Sequence, residues 1–183
     1  MSMQIGFIII IILLIILIIH PTITADSLKN AFRGKLTDEE KKQLLPISGF
    51  ELPYSPFKWN LFPMILNHNC YDYAINNYNV AQLKSSQPGF IKDNNNESGT
   101  RLTCAGVNER LGNDQSGKIR VASAEIPCGQ GEYKIALIAD KDDDYHFLRQ
   151  NRDGTWSHKP GSDRATNLDF AGNLILNPQT ASF

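Results

Sequence analysis

The chain has 183 residues, of which 18 are lysine or arginine and 19 are aspartate or glutamate, so its formal net charge is −1. The basic residues form no block and are not interleaved with aromatic side chains, which excludes a nucleic-acid partner that needs clustered positive charge. The length allows one domain with a sizeable core and not two.

The N-terminal segment differs in composition from everything that follows it. Residues 5–19 are almost entirely isoleucine and leucine, a run shorter than the about 20 residues of a bilayer span but typical of a secretory signal. Ala25 offers a small residue for cleavage. We predict a signal peptide over residues 1–25 and a single domain over residues 26–183, secreted or extracytoplasmic. The alternative is an uncleaved membrane anchor, because no basic residue precedes the apolar run.

A short helix is predicted after the signal segment. Thr37 is followed three residues later by Glu40, which is the pattern of a capping box, and Pro46 ends the helix. The prolines and aromatics of residues 48–63 predict an irregular segment laid across the core.

A second helix is predicted over residues 69–83, where apolar residues recur at helical spacing. Asn69 is the expected N-cap, and Asp72 at the third helical position accepts from free backbone N–H groups. Cys70 then lies in the first turn of this helix.

The cysteine count is odd, with thiols at Cys70, Cys104 and Cys128. In an oxidising compartment one of them has no partner in the chain. A Cys104–Cys128 disulfide would close a polar stretch with little apolar content and contribute about 3 kcal/mol. This pairing leaves Cys70 free, and the alternative is a bridge that includes Cys70.

The C-terminal half predicts antiparallel strands. Residues 133–139 form a short apolar run, and residues 145–150 and 155–159 are two strands joined by residues 151–154. The Asp-Gly pair in this connection favours a type I turn with Gly154 in a left-handed bulge. The tail from residue 166 onward is expected to be irregular.

The hairpin register decides where two histidines point. With Asn151 facing Thr155, His158 opposes Leu148, and His146 becomes a diagonal neighbour of His158 on the same face. A four-residue loop would place the two imidazoles on opposite faces.

These positions are compatible with cysteine chemistry. A cysteine in the first turn of a helix faces free N–H groups, which favours the thiolate, and a nearby imidazole holds the ion pair and transfers the proton. Cys70 and His146 match these roles, and His158 would orient the base. Asp72 works against the thiolate.

The order of these motifs resembles that of the papain-like superfamily. Asn-Cys-Tyr-Asp-Tyr-Ala at residues 69–74, followed by the histidines of residues 146–158, is similar to NlpC-type cell-wall peptidases and CHAP amidases. The segments 144–150 and 153–161, followed by residues 166–169, also resemble a little-characterised family of bacterial and viral proteins. The resemblance implies an α+β domain with a Cys-bearing helix packed on a small antiparallel sheet. The glycine- and serine-rich surroundings of NlpC-type sites are absent around Cys70, so the substrate class does not carry over.

We therefore predict a secreted cysteine hydrolase, a peptidase or amidase, with Cys70, His146 and His158 as catalytic residues and no cofactor. Its partner would be a peptide, protein or peptidoglycan amide, and membrane contact would involve only an uncleaved N-terminal segment. An acyltransferase or deamidase using the same pair is one alternative. A secreted non-catalytic binding or toxin-like module on the same fold is another.

Other residues compete for single roles. His68 is a weaker candidate base, and Asn167 and Asp169 are alternatives to His158 as the third member of the site. A zinc site is disfavoured because the sequence has no paired ligands at short spacing. The acidic residues of positions 140–144 lack the spacing of a calcium loop and are predicted to form a solvated turn.

Overall fold

The computed structural model describes residues 35–89, 103–114, 118–140 and 144–183. The predicted signal segment, residues 1–25, lies outside the described residues. The unit Thr37–Phe183 holds all the helices and strands discussed below. Within the described ranges, no helix has the length and apolar character needed to cross a bilayer.

The domain is a small α+β unit, as the sequence predicts. Its elements in chain order are the helices α1 (Asp38–Lys41), α2 (Pro56–Trp59), α3 (Met64–Asn67), α4 (Cys70–Ala74) and α5 (Cys104–Asp114), followed by the strands β1 (Ile135–Ala139), β2 (Tyr145–Gln150) and β3 (Trp156–His158).

The three strands form one antiparallel sheet in the order β1-β2-β3. The predicted hairpin register is confirmed, because Leu148 pairs with His158 and the N–H of Asn151 donates to the carbonyl of Thr155 at 2.7 Å. Gly154 has a φ of 85° and donates to the carbonyl of Asn151 at 2.9 Å. This left-handed residue gives the tight reversal that keeps the two histidines on one face.

Helix α4 begins as predicted and ends early. The Asn69 side chain accepts from the N–H of Asp72 at 3.1 Å, and the Asp72 carboxylate accepts from the N–H of Asn69 at 3.2 Å. The predicted continuation to residue 83 is wrong, since the helix ends at Ala74. Asn76 adopts a left-handed φ of 54°, and the following chain turns back toward the Asp72 carboxylate.

Strand β2 is covered on both faces, which places it at the centre of the core. Tyr71 of α4 packs against Phe147 with ring centroids 5.4 Å apart. The alternate residue, Leu148, packs in a second cluster with Trp156 and Ile175. Successive side chains of a strand point to opposite faces, so α4 and the C-terminal tail occupy different sides of β2.

Helix α5 was not predicted from the sequence. Val107 and Leu111, four residues apart, are buried against the same cluster as Tyr71 and Phe147, which anchors the helix to the domain. The expected Cys104–Cys128 disulfide is not formed, because both cysteines are free thiols, with Cys104 exposed and Cys128 half-buried.

Candidate functional site

The two histidines of the hairpin are in direct contact. His146 Nε2 lies 2.7 Å from His158 Nδ1, and His158 Nε2 lies 2.8 Å from the carbonyl oxygen of Leu168. Because a carbonyl only accepts, His158 donates from Nε2, and its Nδ1 accepts from the Nε2–H of His146. These two bonds leave neutral His146 with an unprotonated Nδ1.

Two phenylalanines of the C-terminal tail cover this pair. The Phe183 ring centroid lies 5.7 Å from that of His146 and 5.2 Å from that of His158, and Phe170 lies 5.3 Å from Phe183. Burial lowers the pKa of His146 to about 3, and the neighbouring His158 adds to this shift. Burial also lowers the pKa of His158, against the opposing effects of its backbone hydrogen bond and of Asp169. Both imidazoles are therefore neutral at physiological pH.

Cys70 is the first residue of α4 and is buried. Burial raises the pKa of its thiol to about 11, which hydrogen bonding from the backbone of Phe147 only partly offsets. The acidic neighbour that raises this pKa further is Asp144 and not Asp72, contrary to our prediction. A helix of five residues has a small dipole, and desolvation outweighs it here.

Cys70 and His146 line one open cavity of about 610 Å³. The remaining lining comes from several separate segments of the chain: Leu66, His68, Asn69, Ser85, Gln87, Ile138, Asp140, Asp144, Tyr145, Pro160, Gly161, Ser162, Phe170 and Phe183. The structure therefore places Cys70 and His146, which come from distant elements of the chain, along the same cavity. The protonation states differ from the prediction, since a neutral thiol faces a cavity shared with a neutral imidazole.

The contacts of His68 indicate a structural role. It is buried, its Nδ1 donates to the carbonyl of Met64 at 3.2 Å, and its Nε2 accepts from the N–H of Asn79 at 3.4 Å. Its ring also packs edge-on against Trp59 at 5.7 Å. Both ring nitrogens are engaged, so neither acts as a base in this arrangement.

Asp169 and Asn167 lie in the tail beyond the hairpin. The Asp169 carboxylate accepts from three backbone N–H groups, those of Ala171, Asn173 and Ser182, at 2.8–3.1 Å. It therefore closes the loop that carries Phe170 and attaches the C-terminal residues to it. Asn167 is buried in the same tail. The side chain of His158 lies within hydrogen-bond distance of that of His146.

Asp72 forms a buried polar centre that the sequence analysis missed. Besides its capping bond, its carboxylate accepts from the Asn77 side chain at 2.8 Å, the Gln82 side chain at 3.1 Å and the N–H of Ser86 at 3.0 Å. These donors hold the chain that follows α4 against the helix N-terminus. The several Asn and Gln side chains between residues 76 and 82 are the feature of the sequence that could have indicated donors for the Asp72 carboxylate.

Lys159 is a second buried group that the sequence did not reveal. Its ammonium donates to the carbonyl oxygens of Ile65, His68 and Gly161 at 2.7, 2.6 and 2.7 Å. Burial lowers the pKa of Lys159 to about 8, against the favourable charge of Asp163. Two of its acceptors lie 94 and 91 residues away in the chain, so no local pattern marks the contact.

Metal binding has no support in the described ranges, where no three His, Cys, Asp or Glu side chains are grouped to hold an ion. Of the acidic turn at positions 140–144, Asp140 and Asp144 line the cavity, and residues 141–143 lie outside the described part.

Comparison with known proteins found no matching family profile and no matching solved structure. The chain is 34% identical over 131 residues to insoluble matrix shell protein 1 of Ruditapes philippinarum, an alignment that covers 70% of this chain and 79% of the relative. This chain belongs to the same family.

Membership of this shell-protein family corrects the predicted function. A family that contains an insoluble matrix shell protein points to a structural role, so the prediction of a cysteine peptidase or amidase is wrong. The acyltransferase and deamidase alternatives require the same reactive Cys70 thiol as the peptidase, so they are corrected together with it. The neutral thiol of Cys70 and the covered His146–His158 pair are consistent with a structural role in this member of the shell-protein family.

Proposed function

We propose that this chain is a non-catalytic structural component of an extracellular matrix. The observation that carries the proposal is its 34% identity to insoluble matrix shell protein 1 over 79% of that protein. The same relationship supports a location outside the cell, in agreement with the apolar segment at residues 5–19 of the sequence.

The chemistry of the cavity supports a passive role. A nucleophilic cysteine needs a lowered thiol pKa and a base able to hold a proton. Here burial raises the pKa of Cys70 to about 11 and lowers that of His146 to about 3. Both shifts favour the neutral thiol of Cys70 and the neutral imidazole of His146. A neutral thiol is a poor nucleophile, and neutral groups are stable in a protein interior.

The buried polar contacts support a rigid unit. Lys159 connects helix α3 at Ile65, the link between α3 and α4 at His68, and the segment after β3 at Gly161 through three carbonyl groups. Asp72 holds the following loop with three donors, and Ser157 joins Tyr73 to Asn151 through bonds of 2.7 Å each. Such saturated networks raise the cost of local opening, which suits a protein that must persist in a solid material.

The fold itself is proposed to be a reduced papain-like scaffold of the NlpC type. This rests on the order of its parts, a helix that begins at Cys70 and packs on an antiparallel sheet bearing His146 and His158. In this proposal the chain retains the arrangement of helix and sheet of such enzymes but uses it as a structural component of the matrix.

Sequential extraction of the producing tissue tests the function. Saline, detergent and then denaturant with reductant are applied in turn, and the tryptic peptide of residues 121–134 is quantified in each fraction by mass spectrometry. We expect the peptide mainly in the last, extracellular fraction. Recovery in the saline extract together with cytosolic markers would overturn the proposal.

A matched pair of variants tests the non-catalytic part. Cells that secrete the chain with Cys70→Ser or His146→Gln should deposit it in the same fraction as the wild type, because no covalent chemistry is required. Gln retains a donor for His158, and Ser retains most of the volume of Cys. A variant that folds with an unchanged melting temperature but no longer enters the insoluble fraction would show that reactive groups are needed.

A further inference from the structure

The two edges of the sheet differ in how their backbone groups are bonded. At the β3 edge, the N–H of Trp156 donates to the carbonyl of Ile175 at 2.8 Å. His158 and Thr166 exchange two further backbone bonds of 2.8 Å each. The C-terminal tail therefore pairs with β3, whose residues are all buried. In the part of the chain that the structure describes, no segment pairs with the outer edge of β1, whose residues are all half-buried.

The register with β2 fixes which backbone groups of β1 point outward. The N–H of Gln150 donates to the carbonyl of Lys134 just before β1, and the N–H of Asp140 just after it donates to the carbonyl of Asp144. Hydrogen-bonded and non-hydrogen-bonded pairs alternate along an antiparallel ladder, so the even-numbered residues of β1 bond to β2. The odd-numbered residues direct their N–H and C=O groups away from β2 and make no hydrogen bond there to any described residue: Ile135, Leu137 and Ala139.

Strand β1 has none of the features that normally keep a free edge from pairing. Its sequence is Ile-Ala-Leu-Ile-Ala, without charge, proline or glycine, and its register with β2 is continuous, without a bulge. Natural sheets protect free edges with lysine, proline or bulges. A regular apolar edge strand with unbonded backbone groups is instead a template for a further strand.

The order of side chains in β1 matches an antiparallel copy of the same strand. With Leu137 opposite the same residue of a second copy, each isoleucine lies opposite an alanine. The pairs are Ile135 with Ala139 and Ile138 with Ala136. A large side chain therefore meets a small one on both faces of the joined sheet, and no like charges face each other within the strand. This is also the register in which all residues of both strands overlap.

Charge at the ends of β1 favours the same arrangement. Lys134 precedes the strand and Asp140 follows it, so antiparallel copies bring opposite charges together, whereas parallel copies would align like charges. Asp140 is exposed, while Lys134 is buried and its ammonium donates to the carbonyl of Pro46. The charges therefore select the direction of pairing, and the backbone groups of β1 supply the bonds.

We propose that two copies of this chain pair through β1 and form one antiparallel sheet in the order β3-β2-β1-β1-β2-β3. In this register every outward N–H of residues 135, 137 and 139 donates to an outward carbonyl of the other copy, about a two-fold axis at Leu137. Because the tail occupies the β3 edge of each copy, the pairing closes at the dimer. This inference goes beyond the proposed function and rests on the sheet alone.

Sedimentation equilibrium of the complete secreted chain tests the association. An interface built mainly from one strand of each copy is small, so we expect a weak dimer whose fraction rises over about 5–500 μM. NMR-detected hydrogen exchange at both ends of this range locates the interface. The amides of Leu137 and Ala139 should exchange about ten-fold more slowly at the high concentration. The amides of Ala136 and Ile138 bond to β2 in the monomer as well and should not change.

A matched pair of variants at one position tests the backbone bonds. Ala139→Pro removes an outward N–H and no bond to β2, and proline is tolerated on an edge strand where its nitrogen faces away from the ladder. It should weaken the association about ten-fold or more. Ala139→Ser keeps the N–H and a small side chain and should dimerise like the wild type. If Ala139→Pro does not fold, hydrogen exchange in the wild type decides.

A monomer across the whole concentration range would overturn the inference. A dimer whose Leu137 and Ala139 amides exchange as in the monomer, assemblies that grow beyond two copies, or unchanged association of folded Ala139→Pro would each do the same. Protection of these amides only after an extracted matrix protein is added would assign the edge to a different partner and refute the self-pairing. The extraction experiment is independent, since recovery as a cytosolic protein would remove the proposed function and leave the dimer intact.

Discussion

The buried imidazole pair makes the stability of the domain depend on pH. His146 has a pKa near 3 in the folded state, against 6.5 for an exposed histidine. Between these values the unfolded chain binds a proton that the folded chain does not, so the free energy of unfolding falls as the pH falls. One proton corresponds to about 1.4 kcal/mol per pH unit, and acidification from about pH 6 to pH 4 therefore costs roughly 2–3 kcal/mol from this residue.

The effect is isolated by comparison with His146→Gln. The glutamine side chain can still donate to His158 Nδ1, but it does not titrate. Urea unfolding of both proteins is measured at several values between pH 4 and pH 7, and the difference between their free energies of unfolding is plotted against pH. Carboxylates that titrate in this range contribute equally to both proteins and cancel in the difference.

We expect the wild type to lose stability on acidification more steeply than His146→Gln, by a slope approaching one proton. Parallel curves would refute the reasoning, because they would mean that His146 takes up its proton in the folded state as easily as in the unfolded state. A steeper curve for the variant would refute the assignment of a desolvated, neutral ring.

Three substitutions test the buried contacts by thermal and urea unfolding. Lys159→Met should destabilise the domain by about 2 kcal/mol or more, since one buried and two partly buried carbonyl groups lose their donor; a loss below about 1 kcal/mol would contradict this. Asp72→Asn should cost about 2 kcal/mol and increase hydrogen exchange at residues 77–86, because charge-assisted bonds are replaced by neutral ones, and unchanged protection would count against its role. Gly154→Ala should cost more than Gly131→Ala. Both glycines have positive φ, at 85° and 80°, but only at Gly154 would the new Cβ meet a neighbour, Leu44 at 3.0 Å. Equal losses would show that backbone strain alone decides.

Local features of this protein were readable from neighbouring residues. The capping boxes at Thr37 and Asn69 involve partners three residues apart, and the hairpin register follows from a turn that ends at Gly154. That register brought His146 and His158 together. Interactions within a few residues depend little on the rest of the chain, which is why sequence pattern predicted them.

The fold also contains elements that only distant contacts stabilise. Helix α5 has just two buried apolar residues, Val107 and Leu111, and exists because they pack on a cluster formed by α4 and β2. Helix α4 ends early because Asp72 offers the following backbone and amide groups a better set of partners than another helical turn. Periodicity alone could not weigh these alternatives.

By itself, the sequence determined that a cysteine at a helix start and two histidines on a hairpin exist in this order, and that the hairpin presents both imidazoles on one face. Tertiary structure decided their charge. Phe170 and Phe183 arrive from the tail to cover the imidazole pair, and packing against β2 buries Cys70. Desolvation disfavours ions more strongly than a short helix dipole favours them, so groups whose sequence pattern indicated a reactive ion pair are held neutral in the folded protein.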